Sequence, residues 1–132
     1  MTETYRPSPG GPYHDDYTLR VADALSAAVR VLNHATLGSA GVTSPVTVHD
    51  VLGSLSAATA GLDQLLGQLA QALQHLQASG RLGDLHGDPT SRARQTLSEI
   101  ETARGVADTL ASRLARAFNA TASLHLTDGS EQ

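Results

Sequence analysis

The chain has 132 residues, 3% aromatic content, no cysteine and a formal net charge of −4. That length sets one domain with a modest core, and the missing cysteines exclude a disulfide framework, a thiolate nucleophile and Cys-based zinc sites. The acidic balance argues against a general nucleic-acid binder, which needs a basic stripe to displace counterions.

Residues 1–14 are rich in Pro and Gly and carry no apolar run. They are expected to be a disordered arm without the features of a signal peptide. Residues 127–132, TDGSEQ, read as a disordered tail. Between the two, an Ala-, Leu- and Gln-rich chain with few aromatic residues favours helices over a sandwich or barrel.

The first helix is predicted over about 15–37, capped by Asp15 or Asp16. Val21, Leu25, Ala28, Leu32 and Ala35 form one apolar face, and Gly38 ends the helix. The loop GSAGVTSP follows.

The second helix opens near SPVTVHD. One candidate cap is Ser44 ahead of Pro45; another is Thr47 with Asp50 three residues on. Its seam is Val48, Leu52, Leu55, Thr59, Leu62, Leu66, Leu69, Leu73 and Leu76. The alternating steps of four and three are the spacing of helices packed at a shallow angle. Gly53, Ala57 and Gly61 form a small-residue stripe, read either as room for a close neighbouring backbone or as a tolerated defect, and Gly80 stops the helix.

The third helix opens at Asp88, a cap with Pro89 at the first helical position. Its expected seam is Ala93, Leu97, Ile100, Ala103, Ala107, Leu110, Leu114, Ala117, Thr121 and Leu124, with Val106 and Phe118 beside it. The fold class is therefore all-α: an antiparallel three-helix bundle over 15–126 with a long hairpin of helices two and three and flexible termini.

Six histidines invite a metal reading. In an antiparallel bundle His34, His49 and His125 would share one end with Asp50, a donor set that could hold zinc, yet no paired ligand spacing is present. Asp84, His86 and Asp88 start like a calcium loop but lack its glycine at the sixth place and its glutamate at the twelfth. Glu99 and Glu101 point to different sides of a helix. No catalytic site, no metal site and no cofactor is expected, no stretch is apolar enough for a membrane span, and the chain reads as cytoplasmic.

Three segments, ALSAAVRVLNHAT, VTVHDVLGSLSAA and GDPTSRA, resemble a family of small uncharacterised helical proteins of streptomycetes and related actinomycetes. Members are often encoded in plasmids or integrated mobile elements. The resemblance spans roughly residues 19–118 and implies a setting, with no activity attached.

The expected function is a non-catalytic helical protein–protein interaction module that self-associates, as a homodimer or with a helical partner. No small-molecule substrate is evident. The first helix is shorter than its neighbours, so the far end of the hairpin lacks a third wall. Leu69, Leu73, Leu76, Ala93, Leu97 and Ile100 are the expected partner-binding residues. The alternative is an accessory or regulatory protein of a mobile genetic element, acting on DNA directly or through a partner.

Overall fold

The computed structural model describes residues 7–128, and every regular element among them is a helix: α1 (Asp15–Ala35), α2 (Pro45–Ala60), α3 (Leu62–Ala78) and α4 (Pro89–Thr121). Contacts divide the chain into two compact units, Met1–Thr43 and Ser44–Gln132. The first holds α1 and the second the other three helices.

The first unit is a single amphipathic helix with a short lead-in. Its cap is His14 rather than Asp15 or Asp16: the extended backbone of His14 turns its ring back, and Nδ1 accepts from the Tyr17 N–H at 3.2 Å. The two aspartates fall in the first turn, where carboxylates favour the positive end of the helix dipole. Tyr17 also anchors the lead-in, because its hydroxyl exchanges hydrogen bonds with the backbone of Ser8. The helix stops two residues earlier than predicted. Thr36 caps it and returns its hydroxyl to the Leu32 carbonyl at 2.8 Å. No residue of α1 is buried.

In the second unit the predicted long helix is two helices. Ser44 caps α2, accepting from the Val46 N–H at 3.1 Å with Pro45 at the first helical position. The alternative cap at Thr47 is not used. Gly61 then interrupts the run: its N–H turns to Ala58 at 3.2 Å, three residues back, a tightened turn between two four-residue ladders. The Leu65 N–H bonds the Gly61 carbonyl at 3.1 Å, so α3 continues in nearly the same direction. Gly80, at φ +74°, ends α3 in the left-handed region that glycine enters without strain.

Asp88 caps α4 as predicted. Its carboxylate accepts from the N–H groups of Thr90 and Ser91 at 3.3 and 3.4 Å and from the Ser91 hydroxyl at 3.0 Å. The Ser91 hydroxyl, and then the Thr90 N–H, hold this carboxyl below its ordinary pKa.

α4 packs along both α2 and α3. His49 and Gly53 meet Phe118 near the start of α2, whereas Asp63 and Gly67 meet Arg104 farther on. The pairs run in opposite order, so α4 folds back antiparallel to the α2–α3 run. The hairpin is what the second unit contains of the expected bundle. Its interior is thin: among the described residues only Ala93 and Ala107 are buried.

Candidate partner-binding face

The side chains that fill the hairpin seam differ from those the leucine pattern picks out. Along α4 the contact row is Ala93, Leu97, Ile100, Arg104, Ala107, Ala111, Leu114, Phe118 and Thr121, each buried or half-buried, at alternating steps of four and three. Arg104 and Ala111 replace the expected Ala103 and Leu110, and Phe118 joins the half-buried Ala117. Leu110 and Val106 stand 46% and 63% exposed.

On α2 and α3 the contact positions are two interleaved rows. One is Leu52, Thr59, Leu66 and Leu73, as predicted. The other is His49, Ser56, Asp63, Ala70 and Gln77, all half-buried. Of the row predicted there, Leu55 and Leu62 are half-buried like the polar row, while Val48, Leu69 and Leu76 are 40%, 48% and 55% exposed. The hairpin thus admits a largely polar row to the seam beside the leucine row, whose two ends stay exposed.

Specific partners make the polar positions of the seam tolerable. The His49 ring stacks on Phe118 with centroids 4.0 Å apart. Its Nδ1 lies 3.0 Å from the Phe118 carbonyl and 2.9 Å from the Thr121 hydroxyl. A carbonyl only accepts, so Nδ1 carries the proton. Gly53 makes room for the ring: a Cβ there would sit 2.7 Å from Phe118 Cε1. Midway along, Arg104 Nε donates to Asp63 Oδ1 at 2.5 Å and its Nη1 reaches Glu101 at 3.4 Å. The hydrogen bond to Asp63, then that carboxylate's charge, raises the guanidinium pKa above its ordinary value. Gly67 gives the guanidinium its space, since a Cβ there would come within 3.2 Å of it. Thr59 satisfies its own hydroxyl on the Leu55 carbonyl at 2.9 Å.

The two flanks of the hairpin are consequently unlike. On one, a trough is lined by Gln64, Gly67, Gln68, Gln71 and Gln74 from α3 with Glu101 and Arg104 from α4. Rows on opposite sides of a contact seam emerge on opposite flanks. The Leu55–Leu62–Leu69 row therefore lies on the other flank, beside the Ala103–Leu110 row of α4. Val106 and Leu110, with Thr102, Gly105, Thr109 and Arg113, line a shallow hollow formed by α4 alone. Leu65, next outward on α3, is 43% exposed.

Of the six expected partner-binding residues, Leu69 and Leu76 lie on this apolar flank. Ala93 is buried in the seam, and Leu73, Leu97 and Ile100 are half-buried in it. The leucine pattern did not pick out Leu65, Val106 and Leu110, which are exposed on the hairpin. It located the open area at the far end of the hairpin, whereas the exposed side chains run along its length. In the small-residue stripe Gly53 meets a close neighbour, while Ala57 and Gly61 are exposed.

Two of the carboxylates singled out from the sequence, Asp84 and Asp88, are engaged in structure. Asp84 accepts from Arg92 Nε and from the His86 N–H, both at 3.2 Å, and Asp88 is the cap. Among the described residues no group of three or more histidine, aspartate or glutamate side chains is gathered for a metal ion. Among the same residues no helix is long and apolar enough to cross a membrane. No family model, curated protein or solved structure matches the chain.

Proposed function

We propose that this protein is a non-catalytic interaction module that takes a helical partner on the apolar flank of the α2–α4 hairpin. The observation that carries this reading is the set of exposed aliphatic side chains on the hairpin, Leu65, Leu69 and Leu76 with Val106 and Leu110. A hairpin that functioned alone would gain by turning its leucine row inward, since burying a leucine side chain is worth roughly 1.5–3 kcal/mol. Here His49, Ser56 and Asp63 share the seam with the half-buried Leu55 and Leu62, while Leu69 and Leu76 of the same leucine row stand about half exposed. Contiguous apolar surface of this kind marks association sites on soluble domains, and an apolar groove between two helices accepts a third or a pair.

The test is a charge placed on the flank and away from the seam. Leu69→Glu combined with Leu76→Glu should leave helicity intact, because both side chains are about half exposed. It should abolish association measured by light scattering and reduce binding of a hydrophobic dye. A wild-type protein that is monomeric, binds no dye and is indifferent to both substitutions would overturn the reading. That outcome would favour a cover from within the chain, as in the three-helix bundle with α1 as the third wall.

A further inference from the structure

The apolar flank is self-complementary. On α2 and α3 its edge row has Leu55 and Leu69 at equal distances on either side of Leu62. On α4 the row next to Ala103–Leu110 has Glu99 and Arg113 at equal distances on either side of Val106. The two centres lie at the same level of the hairpin, because Asp63, next to Leu62, pairs with Arg104, two residues from Val106. Reversing the direction of the flank therefore lays leucine on leucine, valine on valine and glutamate on arginine. Among the described residues neither Glu99 nor Arg113 has an ion-pair partner.

We infer that the occupant of the flank is a second copy of this chain, docked about a two-fold axis that passes at the level of Leu62 and Val106, perpendicular to the helices. This rests on the interaction-module reading and names its partner. The product is an all-antiparallel four-helix assembly with an isologous interface. Leu62 meets its own counterpart, Leu55 meets Leu69 of the partner subunit, and Glu99 meets Arg113 of the partner subunit, twice by symmetry.

Size agrees with this occupant. The α2–α3 run is roughly 50 Å long and two packed helices are about 18 Å across, an area near 900 Å². Stable interfaces bury about 800 Å² on each partner. A single helix of α1's 21 residues is roughly 32 Å long and about 10 Å wide, and would cover about a third of it.

The experiment is a charge-reversal set on the full chain, read by sedimentation equilibrium, with circular dichroism as the control for folding. Wild type should be dimeric at tens of micromolar. Glu99→Arg puts arginine against arginine and Arg113→Glu puts glutamate against glutamate, so each should raise the dimer Kd about 5- to 10-fold. The double variant should return to within about 2-fold of wild type. Mixing the two single variants should also restore dimers, because both contacts of the mixed pair are again opposite in charge. If the singles weaken the dimer and neither the double variant nor the mixture restores it, this arrangement is overturned. The module reading would then stand on the response to Leu69→Glu. A wild type that is monomeric at 100 μM (about that concentration or above) overturns the second copy as occupant. Dye binding abolished by Leu69→Glu would in that case still support a foreign helix.

Discussion

Asp63 and Arg104, 41 residues apart in the chain, meet at 2.5 Å in the middle of the hairpin, at positions where packed helices ordinarily place aliphatic side chains. Each side chain remains about a third exposed, so the pair is partly screened by solvent. Its geometric effect is to set the level at which α3 and α4 face each other. Replacing either partner alone leaves an unmatched charge between two helices. Asp63→Ala and Arg104→Ala should each lower the melting temperature. Replacing both by leucine should recover or exceed the wild-type value, since a well-packed apolar pair is at least as stabilising as such an ion pair. Thermal unfolding of the four proteins checks this; a double variant no better than the worse single would show that the two side chains are not coupled.

Two glycines in one predicted stripe should respond in opposite directions. Gly53→Ala places a methyl 2.7 Å from the Phe118 ring. It should destabilise by about 1–3 kcal/mol, as overpacking does, against a helix-propensity gain of about 1 kcal/mol. Gly61→Ala adds a methyl whose nearest neighbour, the Ala58 carbonyl, is 3.6 Å away, on a right-handed helical backbone. It should stabilise by about 0.5–1 kcal/mol. Urea unfolding of the two variants gives both numbers.

Leu66→Ala and Leu110→Ala separate the seam from the flank. Leu66 is half-buried against α4 and should cost about 1–3 kcal/mol, a cavity term reduced by its partial exposure. Leu110, 46% exposed, should cost under about 1 kcal/mol in dilute solution. Its cost should grow with protein concentration as association adds to stability, while that of Leu66 starts large even where the protein is monomeric. Melting curves over a hundredfold range of concentration distinguish them.

The cap of α4 carries a pH signature. The Asp88 carboxyl titrates below its ordinary value because the Ser91 hydroxyl and then the Thr90 N–H bond its charged form. A depressed folded pKa gives stability that is present above the unfolded pKa and lost as pH falls through the folded one. Asp88→Asn should therefore lower the melting temperature by a constant amount from pH 5 to 8, a window about one unit or more above the ordinary carboxylate value. The gap to wild type should narrow below about pH 4. A gap that widened on acidification would contradict the assignment.

The three helical segments, the Ser44–Pro45 and Asp88–Pro89 starts and the Gly80 stop were legible in the sequence because each rests on local chemistry: a side chain reaching its own backbone, or a φ only glycine takes freely. What misled was the phase of the long hairpin. A repeat of leucines shows that a helix has an apolar side, but not whether that side meets the same chain or another. Two rows compete for the seam, and a leucine row is the natural choice unless the polar row has hidden partners. The partners of His49 and Asp63 lie 69 and 41 residues away, on α4, and no local pattern announces them. The break at Gly61 was missed for a related reason: the apolar period continues across it undisturbed.

A hairpin with two buried residues among those described has little interior to resist local opening. Transient fraying would expose backbone to proteases, and where reclosure is fast the rate of cleavage follows the population of the open form. Occupancy of the apolar flank would lower that population. The cellular lifetime of this chain should therefore report how much of it is assembled: excess copies are removed quickly, and assembled ones persist.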